Sequence, residues 1–183
     1  MSNLVPEGLV RVRLGDLTKV ITKGTTPKQY VSDGINFVKV ESVSGNATLL
    51  PSKFAYIDRY VHDSFKRSQL EEGDILFSIA GSLGRLALVE GKHLPANTNQ
   101  ALAIVRLNKG AIHTSFCIQQ LKGESVQLQL MNLQTVGAQP NLSLQQVSDI
   151  VFLLPPHSEQ KKIAAILTSV DDVIEKTQAQ IDK

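Results

Sequence analysis

The 183-residue chain predicts an α+β domain followed by a long terminal helix. Three observations point there. Short apolar runs bounded by Gly, Asn or Pro recur without the strand-helix-strand rhythm of a doubly wound sheet. The stretch from Ile112 to Leu133 reads as helix, with a break at Gly123. After Pro155-Pro156, apolar residues return at coiled-coil spacing. The expected architecture is a mixed, twisted β-sheet with packed helices over residues 1–155, then a C-terminal helix over 156–183 that forms a coiled coil.

Along the chain, Val10, Val12 and Leu14 alternate with Arg11 and Arg13, the pattern of a half-buried strand. Gly24-Thr25-Thr26-Pro27 is turn chemistry. Ile35 to Val40 reads as a second strand. Residues 41–70 are polar and irregular, with Phe54, Tyr56 and Tyr60 spaced through them. Ile75 to Ala80, Leu86 to Val89, Ala101 to Leu107 and Ile150 to Leu154 read as compact strands. Pro155-Pro156 cannot continue a strand ladder. Ser158 is positioned as an N-cap, with Glu159 favourable to the helix dipole. Ile163, Leu167, Val170, Ile174 and Ile181 form a heptad seam, which Ile166 and Val173 widen. A helix of this length reaches about 39 Å. It either folds back on its own core or reaches out to a second helix.

Composition restricts the functional classes. No apolar run approaches the roughly 18–20 residues of a membrane helix, and no signal-peptide pattern opens the chain. The expected location is cytoplasmic. Cys117 is the lone cysteine and sits between Phe116 and Ile118, as a buried core thiol would. His62, His93, His113 and His157 lack ligand spacing, so no metal site is expected. Leu154-Pro155-Pro156-His157 resembles the loop of an amino-methyltransferase only in its prolines, because Leu offers no side-chain acceptor. Gly81-Ser82-Leu83-Gly84-Arg85 has a phosphate cradle's backbone without the Lys-Ser/Thr of a nucleotide loop. It is either a strand connection or a loop that meets a DNA phosphate through Arg85. Asp171-Asp172 reads as a solvated pair on the outer helix face. Charge is uneven: residues 1–67 hold ten Lys or Arg against six Asp or Glu, while the remainder is slightly acidic. A basic first third suits a face that meets phosphates.

A set of phrases gives more. They are Lys23 to Pro27, Gly73 to Ser78, Gly81 to Arg85, Asn99-Gln100, Gly137 to Ser143, and Leu154 to Gln160 running into Lys161 to Leu167. In this order they closely resemble the specificity subunit (HsdS) of type I restriction-modification systems. The match covers one target-recognition domain and the start of the following helix. The resemblance implies a non-catalytic protein with no cofactor of its own. It implies that the chain reads one half of a bipartite site in double-stranded DNA. Its implied partners are methyltransferase (M) subunits, through them the restriction (R) subunit, and a second copy or second half of the specificity subunit. Full-length members carry two recognition domains separated by long helices in an antiparallel coiled coil. This chain matches one domain and one helix. It reads as a natural half-subunit or a fragment.

In this resemblance Gly73-Asp74 to Arg85 and Asn99-Gln100 are scaffold, and residues 41–70 and 111–135 correspond to stretches that differ among members. The first stretch carries Asn46, Lys53, Tyr56, Arg59, Tyr60, His62, Lys66 and Arg67. Arg and Lys can bond guanine edges and Asn can bond adenine. With Lys23, Thr25, Lys28, Ser82 and Arg85, these make up the candidate DNA contacts, apart from His62. The seam residues Ile163, Ile166, Leu167, Val170, Val173, Ile174 and Ile181 are the candidate coiled-coil contacts. Two other classes are carried alongside: a self-contained DNA-modifying enzyme, and a non-DNA interaction module using its end helix.

Overall fold

The computed structural model describes residues 5–133 and 141–181. In chain order the strands are β1 (Val10–Arg13), β2 (Thr18–Lys23), β3 (Ile35–Val38), β4 (Ala55–Ile57), β5 (Ile75–Ser78), β6 (Leu86–Leu88), β7 (Ala96–Thr98), β8 (Leu102–Leu107) and β9 (Val151–Leu154). The helices are α1 (Arg59–Ser64), α2 (Thr114–Lys122), α3 (Glu124–Asn132), α4 (Leu144–Ser148) and α5 (His157–Ile181). The α+β class holds. The single mixed sheet does not: among the described residues the ladders form three small sheets, ordered β1-β9, β2-β8-β5-β6 and β4-β3-β7. The first two are antiparallel, and only the third is mixed, with β3 parallel to β7.

The inner strands of the four-stranded sheet are covered on both faces, which explains the apolar runs of β5 and β8. Ile75 and Phe77 of β5, with Ala103 and Val105 of β8, enter the larger core. Phe116, Cys117 and Leu121 of α2, Val126 and Leu130 of α3, Val147 of α4 and Phe152 of β9 complete that core. Leu76, Leu102 and Ile104 point the other way, into a second cluster with Val38, Val43 and Ala96. Ile35 and Phe37 pack on Ile57 in a third, smaller cluster. Val38, at the end of β3, joins the β4-β3-β7 sheet to the second cluster.

Several elements were not legible. β2 hides its period because a register shift between Thr18 and Val20 breaks the alternation. β7 is short and polar; Thr98 is buried there because its hydroxyl donates to the Val38 carbonyl at 2.9 Å. The region 41–70, read as irregular, contains β4 and α1. Leu14 starts a 3-10 turn rather than extending β1, and Val10 is 59% exposed because β1 is paired only with β9, at the molecule's margin. The helix break at Gly123 falls where the sequence places it.

Helix α5 begins at His157, so Ser158 lies inside its first turn and does not cap it; the Pro156 carbonyl accepts from Glu159 and Gln160 at 2.9 and 3.2 Å. Gln160 and Ala164 are buried and Ile163 packs against the larger core. Further along, Ile166, Leu167, Val170, Val173, Ile174 and Ile181 are all exposed. The reading of Asp171 as a solvated outer residue is corrected. Its carboxylate accepts from Lys122 Nζ at 2.5 Å and Gln119 Nε2 at 2.9 Å, both on α2.

Candidate nucleic-acid interface

The sequence phrases pair off in space, and each pairing has a physical cause. Lys23 to Pro27 leaves β2 and crosses the end of β7. A Cβ on Gly24 would stand 2.0 Å from the Thr98 carbonyl oxygen and 2.3 Å from that of Asn99, so only glycine fits against this backbone. Thr25 N–H donates to Thr98 O at 2.9 Å, and the Thr26 hydroxyl bonds the Gln100 side chain. Gly73-Asp74 is a buried electrostatic anchor. Asp74 has no exposed surface and takes a bidentate bond from Arg106, at 2.7 and 2.8 Å, plus the Glu71 N–H at 2.7 Å. The hydrogen bonds from Arg106 to Asp74 raise the guanidinium's pKa above its ordinary value. Leu142 N–H donates to Ile79 O at 2.9 Å, which joins the central phrase to the part of the 137–143 phrase that is described; residues 137–140 lie outside the described residues. Gln160 is buried, accepts from His113 N–H at 2.9 Å and donates to Pro155 O at 3.0 Å.

A second polar centre holds α1. Asn97 on β7 is fully buried; its amide donates to Ser68 Oγ at 2.9 Å and Phe65 O at 3.3 Å, and its oxygen pairs with His62 Nδ1. Gln69 Nε2 donates to His62 O at 2.8 Å. His62 is therefore an anchor of α1. Asp58 caps the helix by accepting from Tyr60 N–H at 2.7 Å. Arg59 and Tyr60 stand outward at its start, Tyr60 being 81% exposed.

The candidate contacts fall into two groups. Thr25 is joined to Arg67 by a 3.3 Å bond from the guanidinium to the threonine hydroxyl. Lys66 adjoins Arg67 in the same 3-10 turn, and Lys23 precedes Gly24 at the end of β2. Lys28 is exposed just beyond, and Tyr56 is reached through Val31, whose N–H donates to Tyr56 O at 3.0 Å. Lys53 ends an exposed turn whose last carbonyl accepts from Ser42 Oγ at 3.0 Å. Asn46, Ser82 and Arg85 lie elsewhere. The turn around Asn46 and the loop of Gly84-Arg85 share a cleft of about 190 Å³ with Lys122. Arg85 is half-buried and one guanidinium nitrogen bonds Val43 O. Asn46 also lines a cleft beside α5.

One residue with the right exposure was passed over in the sequence. Tyr30 is half-exposed, packs edge-on to Phe37 at 5.5 Å and lies 5.7 Å from the Lys39 ammonium. All three tyrosines thus lie on one connected stretch of chain, and the bridge between Val31 and Tyr56 explains it. The available signal was its place three residues after the Thr26-Pro27 turn.

Other chemistry is limited among the described residues. Burial pushes the Cys117 thiol up to about 12, which leaves essentially no thiolate at neutral pH. No group of three or more His, Cys, Asp or Glu could hold a metal ion there, and no helix is long and apolar enough to cross a membrane.

Comparison with known proteins now bears on this surface. The family model described as type I restriction modification DNA specificity domain matches residues 6–183. The chain is 28% identical over 185 residues to the putative type I restriction enzyme MjaX specificity subunit of Methanocaldococcus jannaschii, covering 97% of this chain and 43% of that protein. It is 25% identical over 137 residues to the type I restriction enzyme EcoBI specificity subunit of Escherichia coli, covering 75% and 28%. Among solved structures, a chain of a type I R-M system superposes with a TM-score of 0.72 at 19% identity, covering 98% of this chain and 43% of that one. The HsdS subunit from Thermoanaerobacter tengcongensis gives 0.70 at 16% identity, covering 96% and 45%. The chain therefore spans less than half the length of the relatives it matches. The family match over nearly the whole chain, together with the shared fold, establishes that this chain belongs to the type I restriction-modification DNA specificity domains.

Proposed function

We propose that this chain reads one half of a bipartite site in double-stranded DNA and is not itself catalytic. Residues 1–155 form the reading domain and residues 156–183 the assembly helix. Methyltransferase subunits dock on the chain and bring S-adenosylmethionine and the methylating chemistry; the restriction subunit joins through them. The assembly works in the cytoplasm.

One observation carries the reading. Lys23, Lys28, Lys53, Arg59 and Lys66 make no ion pair with any described residue, while Arg13, Lys39, Lys92, Arg106 and Lys122 are paired with carboxylates. These five sit on turns, a strand end and the start of a short helix, where no carboxylate holds them. Such cations can exchange counterions for phosphates at little structural cost. Lys23, Lys28 and Arg85 suit backbone contacts, with Thr25 and Ser82 as neutral donors. Asn46, Lys53, Arg59, Lys66 and Arg67 have side chains suited to base edges, and Tyr56 and Tyr60 supply flat apolar surface beside them.

The exposed seam on α5 supports assembly through a second helix. Two copies packing Leu167, Val170 and Ile174 antiparallel, with Ile163, which also packs on its own domain's core, at the near end and Ile166, Val173 and Ile181 at the flanks, would form a two-fold dimer that imitates a two-domain subunit. Sedimentation of the chain is expected to show a dimer, and Leu167→Asp with Ile174→Asp is expected to give monomer with an unchanged circular dichroism spectrum for the domain. A monomer at tens of micromolar, insensitive to both substitutions, would refute self-assembly. Methyl transfer to DNA by the purified chain would refute the non-catalytic role.

A further inference from the structure

The helix that carries the seam is attached to its domain along an adjoining face. Counting from Gln160 at about 100° per residue, Asp171 and Ala164 lie about 20° and 40° to one side, whereas Leu167, Ile174, Ile163 and Val170 lie about 20°, 40°, 60° and 80° to the other. The first face is docked. Gln160 is buried and bonded to His113 N and Pro155 O, Ala164 enters the larger core, and Asp171 receives Lys122 and Gln119. The second face is free from Leu167 onward.

Gln160 and Asp171 are about 16 Å apart along the helix axis. A cleft of about 250 Å³ runs beside this part of the helix, lined by Thr168, Asp171 and Asp172 of α5, by Gln119 and Lys122 of α2 and by the turn at Asn46, Ala47 and Thr48. A rod held at one point pivots, and a rod held at two points has a direction. Gln160 and Ala164 make the first point, and Asp171, bonded to α2, makes the second. Its ion pair is half-exposed, so solvent screening keeps the attachment weak, but a weak bond about 16 Å from the pivot still restricts angle.

We propose that Asp171, clasped by Lys122 and Gln119, is the positioning residue that fixes the direction in which α5 leaves the domain. Its consequence for DNA rests on the function proposed above. If α5 separates two reading surfaces, its direction sets the distance and phase between half-sites. Asp171 would then determine how sharply the spacer length is selected, without touching DNA.

The test uses the full chain with spin labels at Lys109→Cys, in an exposed turn, and Lys176→Cys, on the side of α5 away from both faces. Buried Cys117 reacts too slowly to interfere. Labelled chain is diluted in unlabelled chain so that only intrachain distances are read. A narrow distance distribution is expected for the parent, a severalfold broader one for Asp171→Ala and for Lys122→Ala, and recovery of the narrow form when Asp171→Lys is combined with Lys122→Asp. An unchanged distribution in Asp171→Ala would overturn the proposal. With methyltransferase bound, Asp171→Ala should accept half-site spacers at least one base pair longer and shorter than the parent does; a broadened helix with a parent-like spacer preference would also overturn it. Broadening in a chain whose parent assembly selects no DNA sequence would leave the clasp supported and refute the function proposed above instead.

Discussion

Asp74 and Lys53 mark two regions that use charge in opposite ways. Asp74 is enclosed and answered by Arg106 in a bidentate pair and by the Glu71 N–H. Lys53 stands in solvent at the end of a turn, and Arg59 and Lys66 stand in solvent at the starts of α1 and of a 3-10 turn, with no ion pair to a described residue. A buried charge left unpaired is costly, so the first kind of residue is tied to the fold. An exposed unpaired cation contributes little to stability and can be exchanged freely. The comparison separates residues that hold the framework from residues that the fold leaves free.

The largest effect should come from breaking the enclosed side. Arg106→Ala leaves the Asp74 carboxylate buried without its cation, at a cost of about 3–5 kcal/mol. A urea melt should show the loss as a lowered midpoint with an unchanged slope. A change below about 1 kcal/mol would mean that water can replace the guanidinium, and that Asp74 is less of an anchor than its burial indicates.

On the free side the effects move from stability to affinity. Lys53→Ala and Arg59→Ala should leave the melt within about 0.5 kcal/mol of the parent. Where either bonds a base edge, binding titrations on single-base variants of the site should lose about 1–3 kcal/mol of discrimination at symmetric positions. Arg85→Ala is the intermediate case, because its guanidinium is partly committed to Val43 O. It should weaken binding to all sequences alike and lower the salt slope by about one. A changed base preference in Arg85→Ala would move Arg85 from framework to reader.

What could be read in the sequence follows the same division. The phrases around Gly24, Asp74, Asn99 and Gln160 were legible because each answers a steric or electrostatic need that few residue types meet. Gly24 meets carbonyl oxygens at 2.0–2.3 Å, and Gln160 must bond two backbone groups at once while buried. The helical stretch at 112–133 was legible by its spacing, and its break by Gly123. β2 was lost to a bulge, and β7 and α1 were lost because Asn97, Thr98 and His62 are satisfied by distant partners that no local pattern displays. Asp171 was misread for the same reason, since its partners lie some fifty residues earlier on α2. The candidate contacts were chosen from residue type and position, and they remain a proposal. Their division into a Thr25–Arg67 group and an Asn46–Arg85 group needed three dimensions.

The central claim is that this chain reads DNA sequence, and selection from random duplex DNA by the chain assembled with its methyltransferase subunits tests it most directly. A two-fold assembly presents the same reading surface twice in opposite directions. The expected result is an interrupted palindrome with two identical inverted half-sites, bound with steep salt dependence. Selection that enriches no sequence would contradict the claim, and an asymmetric bipartite site from the homodimeric assembly would contradict its symmetry.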